Sequence, residues 1–95
     1  MYKDIKFEWD EAKNKSNLEK HGVSFETACK IFQYFLYNKI DTRFDYGETR
    51  TISIGTTDNK TIIVVVHTDR SGLMRIISAR PASQEERVIY YEKTR

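Results

Sequence analysis

The chain has 95 residues, of which 39% are apolar and 32% charged, and sixteen basic against fourteen acidic side chains leave a net charge of +2 with histidine neutral. This length holds one small domain, residues 1–95, and excludes a large enclosed substrate cavity. The near-balance of charge, with four glycines and one proline, excludes disordered polybasic, collagen-like and low-complexity classes.

The lone cysteine, Cys29, can neither close an internal disulfide nor build a thiolate zinc site. A reducing, cytoplasmic setting is therefore expected. No apolar run approaches the roughly 20 residues that cross a bilayer. The first residues, Met1 to Lys6, lack the apolar stretch of a secretory signal.

Taken in chain order, Ile5 to Trp9 alternates apolar and polar residues, the period of a short strand. Asp10 suits a helix N-cap, with Glu11 in the first turn. The predicted helix Glu11 to His21 is polar, with Ala12 and Leu18 its only aliphatic residues, so it belongs on the surface, docked by a narrow stripe. Gly22 is a natural residue to end it. Ser24 caps a second helix, flanked by a Val23–Ala28 staple. Phe25, Ala28, Cys29, Phe32, Phe35 and Leu36 share one face at helical spacing, which predicts an amphipathic helix packed on a sheet.

From Lys39 the period changes to two. Strands are predicted at about 39–45, 49–56, 61–69 and 74–80. The links Tyr46-Gly47-Glu48, Asp58-Asn59-Lys60 and Arg70-Ser71-Gly72 carry turn formers and predict consecutive antiparallel hairpins. Ile62 to Val66 is apolar throughout, as in a central strand covered on both faces. Pro81 ends the last strand, and Ser83 with Glu86 forms a capping box opening a final helix, Gln84 to Lys93. The order β-α-α-β-β-β-β-α describes an α+β fold with an antiparallel meander sheet packed by helices.

The small net charge is polarised. Residues 70–95 carry six basic groups (Arg70, Arg75, Arg80, Arg87, Lys93, Arg95) against three acidic ones, so this segment is +3 and the preceding 69 residues total −1. Arg70 ends one strand and Arg75 begins its partner, which brings them close. Arg80 lies about 15 Å beyond Arg75. Five positions apart, Arg75 and Arg80 fall on opposite faces of a regular strand unless a bulge or the Pro81 break intervenes. These arginines are either solubilising groups at strand ends or a phosphate clamp, since guanidinium groups stay charged and bind oxyanions bidentately.

Of the two histidines, His21 follows Lys20 at a helix C-terminus, where it can serve as a proton donor or cap free carbonyls. His67 alternates with Ile63 and Val65 and is read as structural. Neither lies at metal-ligand spacing with a carboxylate pair. There is no glycine-rich phosphate loop, no Gly-x-Ser-x-Gly and no compact Ser/His/Asp set. Cys29 is read as a core residue. Trp9 could stack on a base, although a lone tryptophan in a small domain is more often core.

Phe7-Glu8-Trp9-Asp10, Lys13, Asn17 and Lys20-His21-Gly22-Val23-Ser24-Phe25-Glu26 resemble the opening signature of BrnT toxins. The resemblance continues through Gly47-Glu48-x-Arg50, Ile54-Gly55, Val64-Val65-Val66, Thr68-x-Arg70, Arg75-Ile76-Ile77-Ser78-Ala79-Arg80-x-Ala82 and Glu86-Arg87. It spans about residues 7–91, and the order and spacing of the blocks make it specific. Pro81 departs from the family's usual polar residue, and residues 35–38 add an apolar, aromatic stretch.

The resemblance implies the toxin of a type II toxin–antitoxin system: a RelE-like, metal-independent endoribonuclease that needs no cofactor and blocks translation. It also implies a BrnA-like DNA-binding antitoxin, which brings operator DNA into play only through the complex. RNA would supply its own 2′-OH as nucleophile. Arg70 and Arg80 then suit charge stabilisation and Lys20 and His21 proton transfer. Glu8 and Glu48 are further base candidates, and Trp9, Lys13, Arg50 and Arg75 suit RNA positioning. Two other readings share the same residues: a nucleic-acid- or antitoxin-binding module that does not cut, and a same-fold toxin acting on DNA gyrase.

Overall fold

In a computed structural model, residues 5–94 are described. The leader reading of residues 1–4 and the charge of Arg95 lie outside them. Strand β1 (Phe7–Glu8) leads into helix α1 (Glu11–His21), helix α2 (Phe25–Ala28) and a 3₁₀ helix (Cys29–Gln33). Strands β2 (Tyr37–Ile40), β3 (Thr51–Thr56), β4 (Ile62–Arg70) and β5 (Leu73–Pro81) follow, and helix α3 (Gln84–Lys93) closes the order.

The sheet runs β1-β5-β4-β3-β2. Strands β2 to β5 are an antiparallel meander, but β1 pairs with β5 in parallel, so the sheet is mixed and not wholly antiparallel as expected. Helices α1 and α2 separate β1 from the meander, and a connection of that length can cross over to lie parallel where a tight turn cannot. The β4–β5 link is a two-residue turn in which Ser71 and Gly72 both have positive φ, 53° and 83°, the geometry that matches strand twist.

The two faces of the sheet are filled differently. On one, Ile63, Val65, Ile76 and Ala79 pack against Phe25, Ala28, Ile31 and Phe32. Gly55 lies under this layer. A Cβ there would come within 2.8 Å of Leu36 Cδ2 and 3.0 Å of Ile31 Cβ, so only glycine lets the 3₁₀ helix approach β3 this closely. On the other face, Tyr90 of α3 packs with Ile54, Ile62, Val64 and Ala82, and its hydroxyl donates to the Phe35 carbonyl at 2.8 Å. Helix α3 covers only that end of the face.

Three expected elements are corrected. The second helix does not run to Leu36: α2 ends at Ala28 and tightens into 3₁₀ geometry, leaving Phe35 half exposed. The strand expected at 39–45 is Tyr37–Ile40 instead, and 41–50 is a loop. Its Asp41 and Arg43 bond to each other, which turns the chain out of the ladder. Helix α1 docks through buried Asn14 and Asn17, while Ala12 and Leu18 face solvent. The Asn17 amide donates to Ala79 O at 2.7 Å and to Val23 O at 2.9 Å, and its oxygen accepts from Ala79 N at 3.3 Å. Asn17 thereby replaces a neighbouring strand where β1 is too short to reach.

Candidate nucleic-acid interface

The open part of the α3-bearing face carries the arginines. Strands β4 and β5 pair Val64 with Arg80, Val66 with Ser78 and Thr68 with Arg75, with a register shift at Val66/His67 that leaves Ile77 as the extra residue of β5. This bulge changes the alternation. Val64 and Val66 point away from the helix-side core, so Arg80 and Ser78 do as well. Beyond the bulge His67 and Ile76 turn toward that core, and Arg75 returns to the open face. Arg75 and Arg80 therefore share one face, where a regular strand would have split them.

Each of these cations meets a carboxylate. Arg75 lies 3.5 Å from Glu8 of β1. Arg80 forks onto Glu86, with both bonds at 2.7 Å. Glu86 also accepts from Ser83 N at 2.8 Å in the capping box of α3, so the helix start fixes the direction of Arg80. The Arg80 bond and the Ser83 N–H hold the Glu86 carboxyl down at about 2. Glu48 bridges Arg70, at 3.1 Å, and Arg50, at 3.3 Å, and these bonds, led by that of Arg70, lower its pKa.

The loop 41–50 folds over the same face. Arg43 grips Asp41 through Nε and one terminal nitrogen at 2.9 and 2.8 Å, and Tyr46 donates its hydroxyl to Asp41 at 3.1 Å. The Arg43 bonds hold the Asp41 carboxyl well below the usual carboxylate range. The Arg50 guanidinium lies 3.9 Å from the centre of the Tyr46 ring. Arg43 and Arg80 are close enough to repel, while Glu86 holds Arg80 firmly protonated.

The remaining expected site residues lie elsewhere. Lys13, Lys20 and His21 of α1 line a groove of about 220 Å³ with Ser16, Asn17, Ile77 and Ser78. Ser78 borders this groove and pairs with Val66 on the arginine side of β5, so the strand lies between the two groups. The His21 ring makes no hydrogen bond among the described residues, and the helix end is closed instead by Gly22 N–H to Leu18 O. Trp9 packs in the helix-side core, edge-on to Phe25 at 6.2 Å, with its indole N–H on Glu11 at 3.1 Å. It is not part of the arginine face.

Three residues of this face, Asp41, Arg43 and Tyr46, were not singled out as site residues from the sequence, because 39–45 reads as one more alternating strand and Tyr46 as part of the turn after it. His67 is buried where its spacing with Ile63 and Val65 places it. Its Nε2 lies 2.6 Å from Ser53 Oγ, which also meets Asn38 Oδ1 at 2.6 Å, and its ring stands edge-on to Phe32. Burial depresses its pKa to about 4. Burial likewise raises the Cys29 thiol to about 11, so Cys29 is no thiolate nucleophile at neutral pH.

Comparison with known proteins agrees with the sequence blocks that frame this face. The profile of the ribonuclease toxin BrnT of type II toxin–antitoxin systems matches residues 9–86. The chain belongs to the BrnT toxin family. The crystal structure of the Brucella abortus ribonuclease toxin, BrnT, at 1.1 Å resolution is similar at 32% identity and a TM-score of 0.65, over 84% of this chain and 99% of that one. No curated protein matches. The match to BrnT spans the strands and loops that carry Arg50, Arg70, Arg75 and Arg80, together with Lys13, Lys20 and His21 of α1.

Proposed function

We propose that this BrnT-family chain is a metal-independent endoribonuclease that acts in the cytoplasm, cuts RNA and blocks translation. The observation that carries the reading is the gathering of Arg50, Arg70, Arg75 and Arg80 on one open sheet face, against a groove lined by Lys13, Lys20 and His21. An open face suits a flexible single strand, and guanidinium forks suit its phosphates.

The reaction needs little from the protein beyond charge and protons. The ribose 2′-OH attacks the adjacent phosphorus, and the bond to the 5′-oxygen of the next nucleotide breaks. The products are a 2′,3′-cyclic phosphate and a 5′-hydroxyl. One group must take the 2′ proton, another must give a proton to the leaving oxygen, and cations must stabilise the extra charge on the phosphorane. In this reading Arg70 and Arg80 stabilise that charge. Lys20 and His21 exchange the protons from the β5 edge, and Lys13, Arg50 and Arg75 hold the flanking backbone. Glu8 and Glu48 are each tied to arginine, which weakens them as bases. Trp9 acts on the site only as scaffold, through its packing on Phe25.

A BrnA-like DNA-binding antitoxin would neutralise the toxin and bring it to operator DNA within the complex. Incubated with RNA in EDTA, the purified protein is expected to yield cyclic-phosphate ends. Arg80→Ala or His21→Ala should each slow cleavage roughly 100-fold. Intact RNA beside folded protein would leave a binding module, or a toxin with another target, in its place.

A further inference from the structure

Among the described residues, the large apolar side chain most exposed is Phe44, at 70%, on the loop 41–50. It is not a loose tip. Its ring stands edge-on to Tyr46 at 5.8 Å. Tyr46 in turn stacks under the Arg50 guanidinium and donates to the nearly inaccessible carboxylate of Asp41, which the adjacent Arg43 also grips. Two links, Phe44 to Tyr46 and Tyr46 to Arg50, thus tie an exposed phenyl ring to the arginine face, and a branch through Asp41 fixes Arg43 beside it. Arg43 remains 63% exposed, and its charge is felt at Arg80. A flat apolar ring next in the chain to a paired but solvent-exposed guanidinium, at the margin of a face of arginines, has the make-up of a platform for one unpaired nucleotide.

We propose that the loop 41–50 is a nucleotide-holding arm: Phe44 stacks on a base of single-stranded RNA next to the cleavage position, and Arg43 binds that nucleotide's phosphate. The inference rests on the ribonuclease reading above and adds a subsite to it. Asp41 and Tyr46 are positioning residues that keep the arm over the sheet. An occupant with a phosphodiester backbone is favoured over a protein segment because Phe44 directly follows the exposed Arg43 and is tied through the Tyr46 ring to Arg50. An apolar protein segment would leave those cations without new partners, whereas a nucleotide satisfies ring and cation together.

The test uses a single-stranded hexaribonucleotide with a 2′-deoxy sugar at the scissile position, which cannot be cut, and 2-aminopurine as a reporter of stacking. The unaltered protein is expected to bind it and quench the reporter at one position. Phe44→Ala should weaken binding roughly tenfold and abolish the quench, with the salt dependence of binding unchanged. Phe44→Trp should restore both. Arg43→Gln should flatten the slope of log K against log salt by about 0.7, the share of one phosphate contact on a single strand. Circular dichroism confirms that each variant is folded, and Phe44, being exposed, can be replaced without opening the core. Binding by the unaltered protein that Phe44→Ala leaves equal in strength and quench overturns the arm while sparing the ribonuclease reading. No binding by the unaltered protein overturns both. Phe44→Ala that loses only antitoxin binding marks the loop as a protein interface and also overturns the inference.

Discussion

Arg43, Arg50, Arg70 and Arg80 are each held by a carboxylate with a second duty. Glu86 caps α3 while forking Arg80, Glu48 is shared by Arg50 and Arg70, and Asp41 anchors a loop through Arg43 and Tyr46. Such pairs, mostly half exposed, add little to stability but fix where each guanidinium points. The buried histidine does the reverse: it affects stability while lying away from the arginines. His67 is neutral in the fold, with a pKa near 4 against about 6.5 when unfolded. The unfolded chain therefore takes up the proton first. The associated stability is complete above pH 6.5 and is lost as pH falls toward 4, by about 3 kcal/mol in all. Urea unfolding at steps between pH 7.5 and 4 should follow that slope, and His67→Gln should flatten it between 6.5 and 4.5. An equal slope in the variant would assign the titration to another group.

At the level of elements, helix α1 is held to β5 by amide geometry and not by an apolar stripe. Leu18 is 48% exposed and Ala12 faces solvent, whereas the Asn17 side chain satisfies both backbone groups of Ala79 and the carbonyl of Val23. Removing it leaves buried donors and acceptors without partners, at about 1–3 kcal/mol for the first and less for those that regain water. Asn17→Ala should cost about 2–4 kcal/mol in chemical denaturation, and Leu18→Ala under about 0.5 kcal/mol. If the two cost the same, the docking argument fails. The bulge at Ile77 is the other decisive element. It brings Arg75 onto the face of Arg80 without turning Ile76 or Met74 out of the core.

For the whole molecule, five arginines (43, 50, 70, 75 and 80) and four carboxylates (Glu8, Asp41, Glu48, Glu86) occupy one side of the sheet among the described residues. With Lys39 of β2, which lies opposite Ile52, the face keeps only a small positive excess until phosphates displace the carboxylates. RNA binding should show a modest salt response. If Arg43, Arg70, Arg75 and Arg80 each take one phosphate, log K should fall against log salt with a slope of about −3. Filter binding of a non-cleavable single strand between 50 and 300 mM salt measures this. A slope near zero would mean that the arginines keep their carboxylates and do not contact RNA.

Local signals in the sequence were enough for the caps at Asp10, Ser24 and Ser83, the turn at Gly22, the central strand Ile62–Val66 and the family blocks, because each depends on a few adjacent residues. The gathering of Arg70, Arg75 and Arg80 was only half legible: spacing located them on strands but assigned Arg75 and Arg80 to opposite faces. A single extra residue in a ladder reverses that assignment, and no local pattern distinguishes Ile77 from its neighbours. The parallel placement of β1, the docking of α1 by asparagine and the loop 41–50 were decided by tertiary structure alone. Each depends on partners far along the chain: β5 for Phe7 and Glu8, Ala79 for Asn17, and Arg70 for Glu48 at the end of the loop. Periodicity determines which side of an element is apolar, but only the assembled sheet determines which charges that side brings together.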